Sequence, residues 1–149
     1  MKEYKAKAIN FTLKAEKMNF QQAKITTSQD SAQFARQFYF SDIEIFESAF
    51  IILLNNAYNT IGFAKIGQGG ITGTVVDKMI ICKYAVDSLA KSVVLVHNHP
   101  SGNIRPSKAD DLLTKDVAQA LEMVGSKLLD HIIISSSEEH YSYSDNGRL

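Results

Sequence analysis

Two histidines, a serine and an aspartate lie close together in the chain, at spacings that suit a metal site. His97 and His99 follow the apolar run at residues 93–96, which places them at the C-terminal end of a predicted strand. Side chains two residues apart on a strand project from the same face, so the two imidazoles would form a chelating pair. Ser107 and Asp110 follow a Pro-Ser-Gly turn and stand at the start of a predicted helix.

The candidate ligands of this group are His97, His99 and Asp110. Three such ligands leave a fourth position for water, which is typical of a catalytic zinc site and not of a closed structural one. A second interpretation needs no metal, because Ser107 followed by Asp110 also fits a capping box. The combination at a strand end, a turn and a helix start favours the metal site.

The elements that must position these residues follow an α/β pattern, with helices and strands mixed along the chain. In chain order the patterns predict a strand at 9–15, a helix at about 29–40 capped by Ser28, a hairpin of strands 50–54 and 60–66, a glycine-containing loop at 67–73, a helix ending near Ala90, a strand at 93–96, a helix at 107–124 ended by Gly125, and strands at 128–135 and 141–144. Such a mixture favours a mixed sheet with helices packed on it.

The helix before Ala90 has apolar residues at spacings of 4, 3, 4 and 3. This spacing predicts one buried stripe, formed by Val75, Met79, Cys82, Val86 and Leu89. Thr74 and Asp77 fit a capping box at its start. Cys82 lies on the stripe, which predicts a small buried hydrophobic residue and not a nucleophile.

Composition places limits on the class of protein. The chain has 149 residues, of which 45% are hydrophobic and 21% are charged, which fits one globular domain. Lys and Arg number 16, as do Asp and Glu, so no net positive charge is available for strong DNA binding. Cys82 is the only cysteine, which excludes an intrachain disulfide and a Cys-rich zinc knuckle. The longest apolar run is far shorter than a membrane span and no signal peptide is visible, so we expect a cytoplasmic protein that does not bind membranes.

The wider sequence resembles a known family. HxH, seven residues, Ser, two residues and Asp form the JAMM signature of MPN-type metalloproteases. The runs VVLVHNHPSGNIRPSKADD, LLDHIIIS and YSYSDNGRL resemble the bacterial RadC family, from about Ser28 to the C-terminus. The resemblance implies an N-terminal arm at 1–27 and a RadC-like JAB/MPN domain at 28–149, standing without the helical region that usually precedes it. The implied fold is α/β, with a mixed, mostly antiparallel sheet flanked by helices in a cytidine-deaminase-like architecture.

The resemblance also assigns roles to individual residues. His97, His99 and Asp110 match the zinc ligands, and Ser107 matches the serine that helps to bind the developing oxyanion. The family needs a glutamate just before the first hairpin strand, as general base. Glu47 is favoured for this role over Glu44, because the RadC pattern puts the acid directly before the aromatic-aliphatic strand. His131, in LLDH, either orients a ligand or is a core histidine.

The implied activity is zinc-dependent hydrolysis of a peptide, isopeptide or other amide bond by a metal-activated water. Nucleobase deaminases are excluded, because they need HxE with a downstream PCxxC, whereas His99 takes the place of that glutamate. The substrate and the oligomeric state stay open. A second hypothesis is a non-enzymatic accessory module in DNA repair or mobile-element biology, as the historical naming of the family implies.

Overall fold

A computed structural model describes residues 21–70 and 75–149 of the chain. The helices and strands in these ranges are, in chain order, α1 (Ser28–Arg36), β1 (Ser48–Leu54), β2 (Thr60–Gln68), α2 (Lys78–Asp87), β3 (Ser92–Asn98), α3 (Lys108–Met123), β4 (Leu128–Ile134) and β5 (His140–Ser142). The strands form one five-stranded sheet in the order β2-β1-β3-β4-β5. Among the described residues, no helix is long and apolar enough to cross a membrane.

The sheet is mixed and mostly antiparallel. β1 pairs antiparallel with β2 and β3, and β4 pairs antiparallel with β5, whereas β3 and β4 run parallel. A parallel pair needs a crossover connection, which α3 provides here. The predicted fold class and hairpin are confirmed. The crossover also brings the end of β3 and the start of α3 to the same edge of the sheet.

Both faces of the sheet are covered, which explains why β3 is buried along its whole length. Val94 and Val96 pack in the apolar cluster under α1, whereas Val93 and Leu95 pack in the cluster under α2 and α3. The strand therefore alternates between two cores. This confirms the prediction of an apolar strand that is covered on both sides.

The start of α1 differs from the prediction by one residue. Thr27, and not Ser28, is the N-cap: its extended backbone precedes the helix, and its hydroxyl accepts a hydrogen bond from the Asp30 amide at 3.1 Å. Asp30 completes the capping box by accepting from the Thr27 amide at 2.9 Å. Asp30 forms this reciprocal pair with Thr27 and not with Ser28, which makes Thr27 the N-cap. The helix ends at Arg36, earlier than predicted.

The predicted buried stripe of α2 is wrong. Val75 lies before the helix, and Val75, Met79 and Leu89 are 86%, 77% and 81% exposed. Ile81 and Ala85 are the buried residues of this helix. Apolar residues occupy several sides of α2, so their spacing alone does not determine which side packs on the sheet. Contacts with α3 and with the sheet make that choice.

Two predictions fall wholly or partly outside the described ranges. The strand at 9–15 lies outside them, as does Thr74. The predicted role of Asp77 as the second member of a capping box with Thr74 is wrong, because Asp77 is itself the N-cap of α2 and accepts from the Met79 amide at 2.8 Å. The boundary between an arm at 1–27 and the domain stays a prediction. Ile25, within that range, is already part of the core under α1.

The correction to α2 leads to a stability prediction. Ile81→Ala should lower the free energy of unfolding by about 2–5 kcal/mol, because Ile81 is fully buried and its truncation leaves a cavity. Met79→Ala, on the exposed side, should change it by no more than about 0.5 kcal/mol. Urea denaturation of both variants measures the difference. A larger loss of stability for Met79→Ala than for Ile81→Ala would contradict this assignment and support the buried stripe that was predicted from the sequence.

Candidate metal centre

The end of β3 places two imidazoles side by side. The strand stops at Asn98, but the His99 amide still donates to the Ile134 carbonyl at 2.9 Å, so the chain continues along β4. The Nε2 atoms of His97 and His99 lie 3.0 Å apart. The predicted arrangement of both rings on one face is therefore present.

Asp110 closes this group from the first turn of α3. Its Oδ1 lies 3.1 Å from His97 Nε2, and its Oδ2 lies 3.4 Å from His99 Nε2. The same carboxylate takes part in a capping box, because Oδ2 accepts from the Ser107 amide and hydroxyl, both at 2.7 Å. The capping and metal interpretations of the sequence are thus compatible. The cap fixes the carboxylate in the position from which it faces the histidines.

The spacing of the three side chains suits a metal ion. Ligand atoms about 2.0–2.1 Å from zinc, at tetrahedral angles, lie about 3.3 Å from one another. The two Nε2 atoms are 3.0 Å apart, and the Asp110 carboxylate approaches His97 to 3.1 Å through Oδ1 and His99 to 3.4 Å through Oδ2. Among the residues that the structure describes, these form the one cluster of His, Cys, Asp or Glu side chains with ligand atoms within 4.8 Å of each other. The donor set and its geometry therefore suit a metal ion.

Hydrogen bonding orients the ring of His99 for metal binding. Its Nδ1 lies 2.6 Å from the Asn103 carbonyl oxygen. A carbonyl only accepts, so the proton is on Nδ1 and the lone pair of Nε2 faces the centre.

The charges of the centre favour a cation. The Asp110 carboxylate beside it raises the pKa of His99, although burial opposes this. Burial alone would raise the pKa of Asp110, but the neighbouring rings of His97 and His99 outweigh burial and hold that pKa well below its usual range. Asp110 is therefore an ionised carboxylate facing two ring nitrogens, which is the electrostatic environment that a metal ion needs.

A second layer of buried polar groups lies behind His97. His131 Nε2 is 2.8 Å from His97 Nδ1, and His131 Nδ1 is 2.6 Å from the hydroxyl of Thr114. Tyr143 stacks on the His131 ring, with centroids 4.9 Å apart and planes at 7°. Burial lowers the pKa of His131 well below its ordinary value, so this ring is neutral. His131 is thus both a core histidine and a partner of a candidate ligand.

Sequence reasoning missed Thr114. It lies one helical turn after Asp110 and is buried, and that spacing was the available signal, since residues four apart share a helix face.

Glu47 lies on the same cleft as the candidate ligands. The cleft has a volume of about 700 Å³, and its walls include Glu47, His97, His99, Ser107 and Asp110. Glu47 is partly buried, and its carbonyl accepts from the Gly69 amide at 2.8 Å, which ties it to the end of β2. Glu44 is exposed and does not line this cleft. Glu47, and not Glu44, therefore lines the cleft that contains the candidate ligands.

The segment that carries Glu47 is held by Asn98, from the opposite face of β3. The Asn98 carboxamide accepts from the Ser48 amide at 2.7 Å and donates to the carbonyls of Ile43 and Phe46 at 2.7 and 2.9 Å. The side chain of Asn98 points away from the two histidines, as the strand alternation predicts. Its anchoring of residues 43–48 depends on the tertiary structure and was not predicted.

Comparison with known proteins identifies the family. The family model described as "RadC-like JAB domain" matches residues 25–148. The chain belongs to the RadC-like JAB domain family. The match includes every candidate ligand of this RadC-like JAB domain, as well as Glu47 and Ser107.

Curated relatives support this assignment. A UPF0758 protein of Flavobacterium johnsoniae is 40% identical over 101 residues, covering 68% of this chain and 44% of the relative. A UPF0758 protein of Porphyromonas gingivalis is 38% identical over 103 residues, covering 69% and 45%. One of Streptococcus gordonii is 36% identical over 131 residues, covering 88% and 57%. The RadC-like JAB domain thus spans about half the length of the curated relatives it matches.

The ligand geometry predicts the metal content. After dialysis against a divalent transition metal, the protein should hold about one ion per chain, and His97→Ala should lose most of it. His140→Ala is the matched control, because the His140 ring contacts Ser28 at 3.1 Å and does not line the cleft. Elemental analysis measures the content. Full retention by His97→Ala, or loss by His140→Ala, would contradict the assignment.

The anchoring by Asn98 predicts a loss of stability. Asn98→Ala should lower the free energy of unfolding by about 1–3 kcal/mol, because it leaves the buried Ser48 amide without an acceptor. Thermal and urea unfolding measure the change. Unaltered stability would show that water replaces the lost carboxamide.

Proposed function

We propose that this RadC-like JAB domain is a zinc-dependent hydrolase of JAMM type that cleaves a peptide, isopeptide or other amide bond. One observation carries the proposal: two imidazoles and a carboxylate converge with their nitrogen and oxygen atoms 3.0–3.4 Å apart, with a further carboxylate, Glu47, on the same cleft. Three ligands and a nearby unligated acid are the parts that metal-assisted hydrolysis requires. Membership of the family supports the same conclusion.

The donor set favours zinc. His97 and His99 offer imidazole nitrogens and Asp110 offers a carboxylate oxygen, a combination that suits Zn²⁺ with an open fourth position. When bound, zinc supplies Lewis acidity and lowers the pKa of a water in the open position to about 7. The cleft gives a substrate access to that position.

Glu47 acts as the general base in this proposal. It accepts a proton from the attacking water and later delivers it to the leaving amine. Its carboxylate is free for this task, because Asp110 already supplies the acidic ligand. Glu47 is partly buried and lines the cleft, so water and a substrate that enter the cleft would meet it.

Ser107 stabilises the oxyanion in this proposal. In the structure its hydroxyl donates to Asp110 Oδ2 at 2.7 Å, and its backbone amide donates to the same oxygen. When the hydroxyl hydrogen turns towards the developing oxyanion of the substrate, the backbone amide still holds Asp110. The ligand therefore keeps its position while the hydroxyl serves the reaction.

The role of Glu47 predicts a separation of metal binding from turnover. Glu47→Gln should retain zinc, because Glu47 is not a ligand, whereas hydrolysis should fall by about 10²–10⁴-fold, the range expected for a lost general base. A panel of fluorogenic peptides and isopeptide-linked substrates, with elemental analysis on the same samples, measures both quantities.

Glu44→Gln is the matched control for this experiment. Glu44 is exposed and does not line the cleft, so its replacement should leave both zinc content and turnover unchanged. An inactive Glu44→Gln beside an active Glu47→Gln would assign the base to the other acid. Normal hydrolysis by both variants would reject the mechanism.

A further inference from the structure

A chain of three hydrogen bonds connects the backbone of α3 to the candidate metal centre. The Thr114 hydroxyl lies 2.6 Å from the Asp110 carbonyl oxygen and 2.6 Å from His131 Nδ1. His131 Nε2 lies 2.8 Å from His97 Nδ1. Thr114, His131 and His97 are 2%, 0% and 2% exposed.

The order of protons along this chain follows from its first member. The Asp110 carbonyl only accepts, and two bare oxygens 2.6 Å apart would repel, so the single hydrogen of the Thr114 hydroxyl is donated to that carbonyl. The hydroxyl must then accept from His131, which places the proton of this ring on Nδ1. In an imidazole ring that carries its proton on Nδ1, the other nitrogen, Nε2, is the acceptor.

The same logic determines the state of His97. His131 Nε2 accepts, so the atom that faces it, His97 Nδ1, carries a proton and donates. The lone pair of neutral His97 is therefore on Nε2, the atom with which it would bind a metal ion held between His97, His99 and Asp110. His99 reaches the same state through one backbone carbonyl, whereas His97 reaches it through two intervening side chains.

We propose that Thr114 and His131 are positioning residues that fix His97 in the tautomer whose Nε2 binds the metal. The inference rests on the proposed function only in taking the centre to be a zinc site. Hydrogen-bond partners behind a ligating histidine commonly fix its tautomer and ring orientation. In this domain the chain of hydrogen bonds starts at the backbone carbonyl of Asp110, whose side chain is itself a candidate ligand.

The surroundings make the Thr114 hydroxyl difficult to replace. Tyr143 covers the His131 ring by stacking, and its own hydroxyl is held by Asp111 at 2.8 Å. A valine at position 114 would leave His131 Nδ1 facing a methyl group in a dry environment. His131 would then favour the tautomer with its proton on Nε2, and it would donate this proton in a hydrogen bond to His97 Nδ1. The proton of His97 would then be on Nε2, the atom that the metal needs.

The first arm of the test is zinc affinity, measured by competition with a chromophoric chelator. Thr114→Val should bind zinc about 10–100-fold more weakly, and Thr114→Ser, which keeps the hydroxyl, should stay within a few-fold of the wild-type protein. Val117→Ala removes fully buried atoms on the same helix and controls for lost stability, so its zinc affinity should not change. Wild-type affinity in Thr114→Val would overturn the proposal.

The second arm reads the tautomer directly and does not depend on zinc or on hydrolysis. ¹⁵N NMR of the metal-free wild-type protein, at a pH where the imidazoles are neutral, should show His97 protonated on Nδ1. Thr114→Val should show a shift towards protonation on Nε2. A wild-type His97 protonated on Nε2 would overturn the inference, whereas failure of the protein to bind zinc or cleave any substrate would count against the proposed function alone.

Discussion

The carboxylate of Asp110 is the group on which the rest of the centre depends. It caps the start of α3 through two hydrogen bonds from Ser107 and faces both histidines at the end of β3. A carboxylate in the first turn of a helix is favoured by the helix dipole, and this adds to the stability of the capped arrangement. The same carboxylate therefore caps the crossover helix and supplies the negative charge of the centre.

The alternation of β3 divides two tasks between neighbouring residues. His97 continues the face that packs under α2 and α3, whereas Asn98 faces the side of α1 and anchors the segment that carries Glu47. A slip of one residue in the pairing of β3 would exchange these two side chains. Burial of the strand on both faces opposes such a slip, so the apolar core also fixes the geometry of the centre.

The side chains that lie behind the candidate ligands and the Glu47 segment are more deeply buried than the side chains that line the cleft. His131 and Asn98 are fully buried, whereas Glu47 and His99 are partly exposed on the cleft wall. Buried polar groups with satisfied hydrogen bonds hold a geometry rigidly, and an acid on an open cleft can exchange protons with water. The residues that match the family model include both the buried polar groups and the residues that line the cleft. The RadC-like JAB domain itself therefore contains both.

Short-range patterns determined the parts of this protein that the sequence alone predicted. The facing of His97 and His99 follows from strand alternation, and the link between Ser107 and Asp110 follows from capping, so local geometry was sufficient for both. Long-range contacts decided the remainder. The buried side of α2 depends on the surfaces that α3 and the sheet present to it. The N-cap of α1 is an exception, because the capping pair of Thr27 and Asp30 that defines it lies only three residues apart in the sequence. Thr114 meets His131 only because α3 crosses over to place β4 parallel to β3, and no local pattern encodes a contact between residues on two different elements.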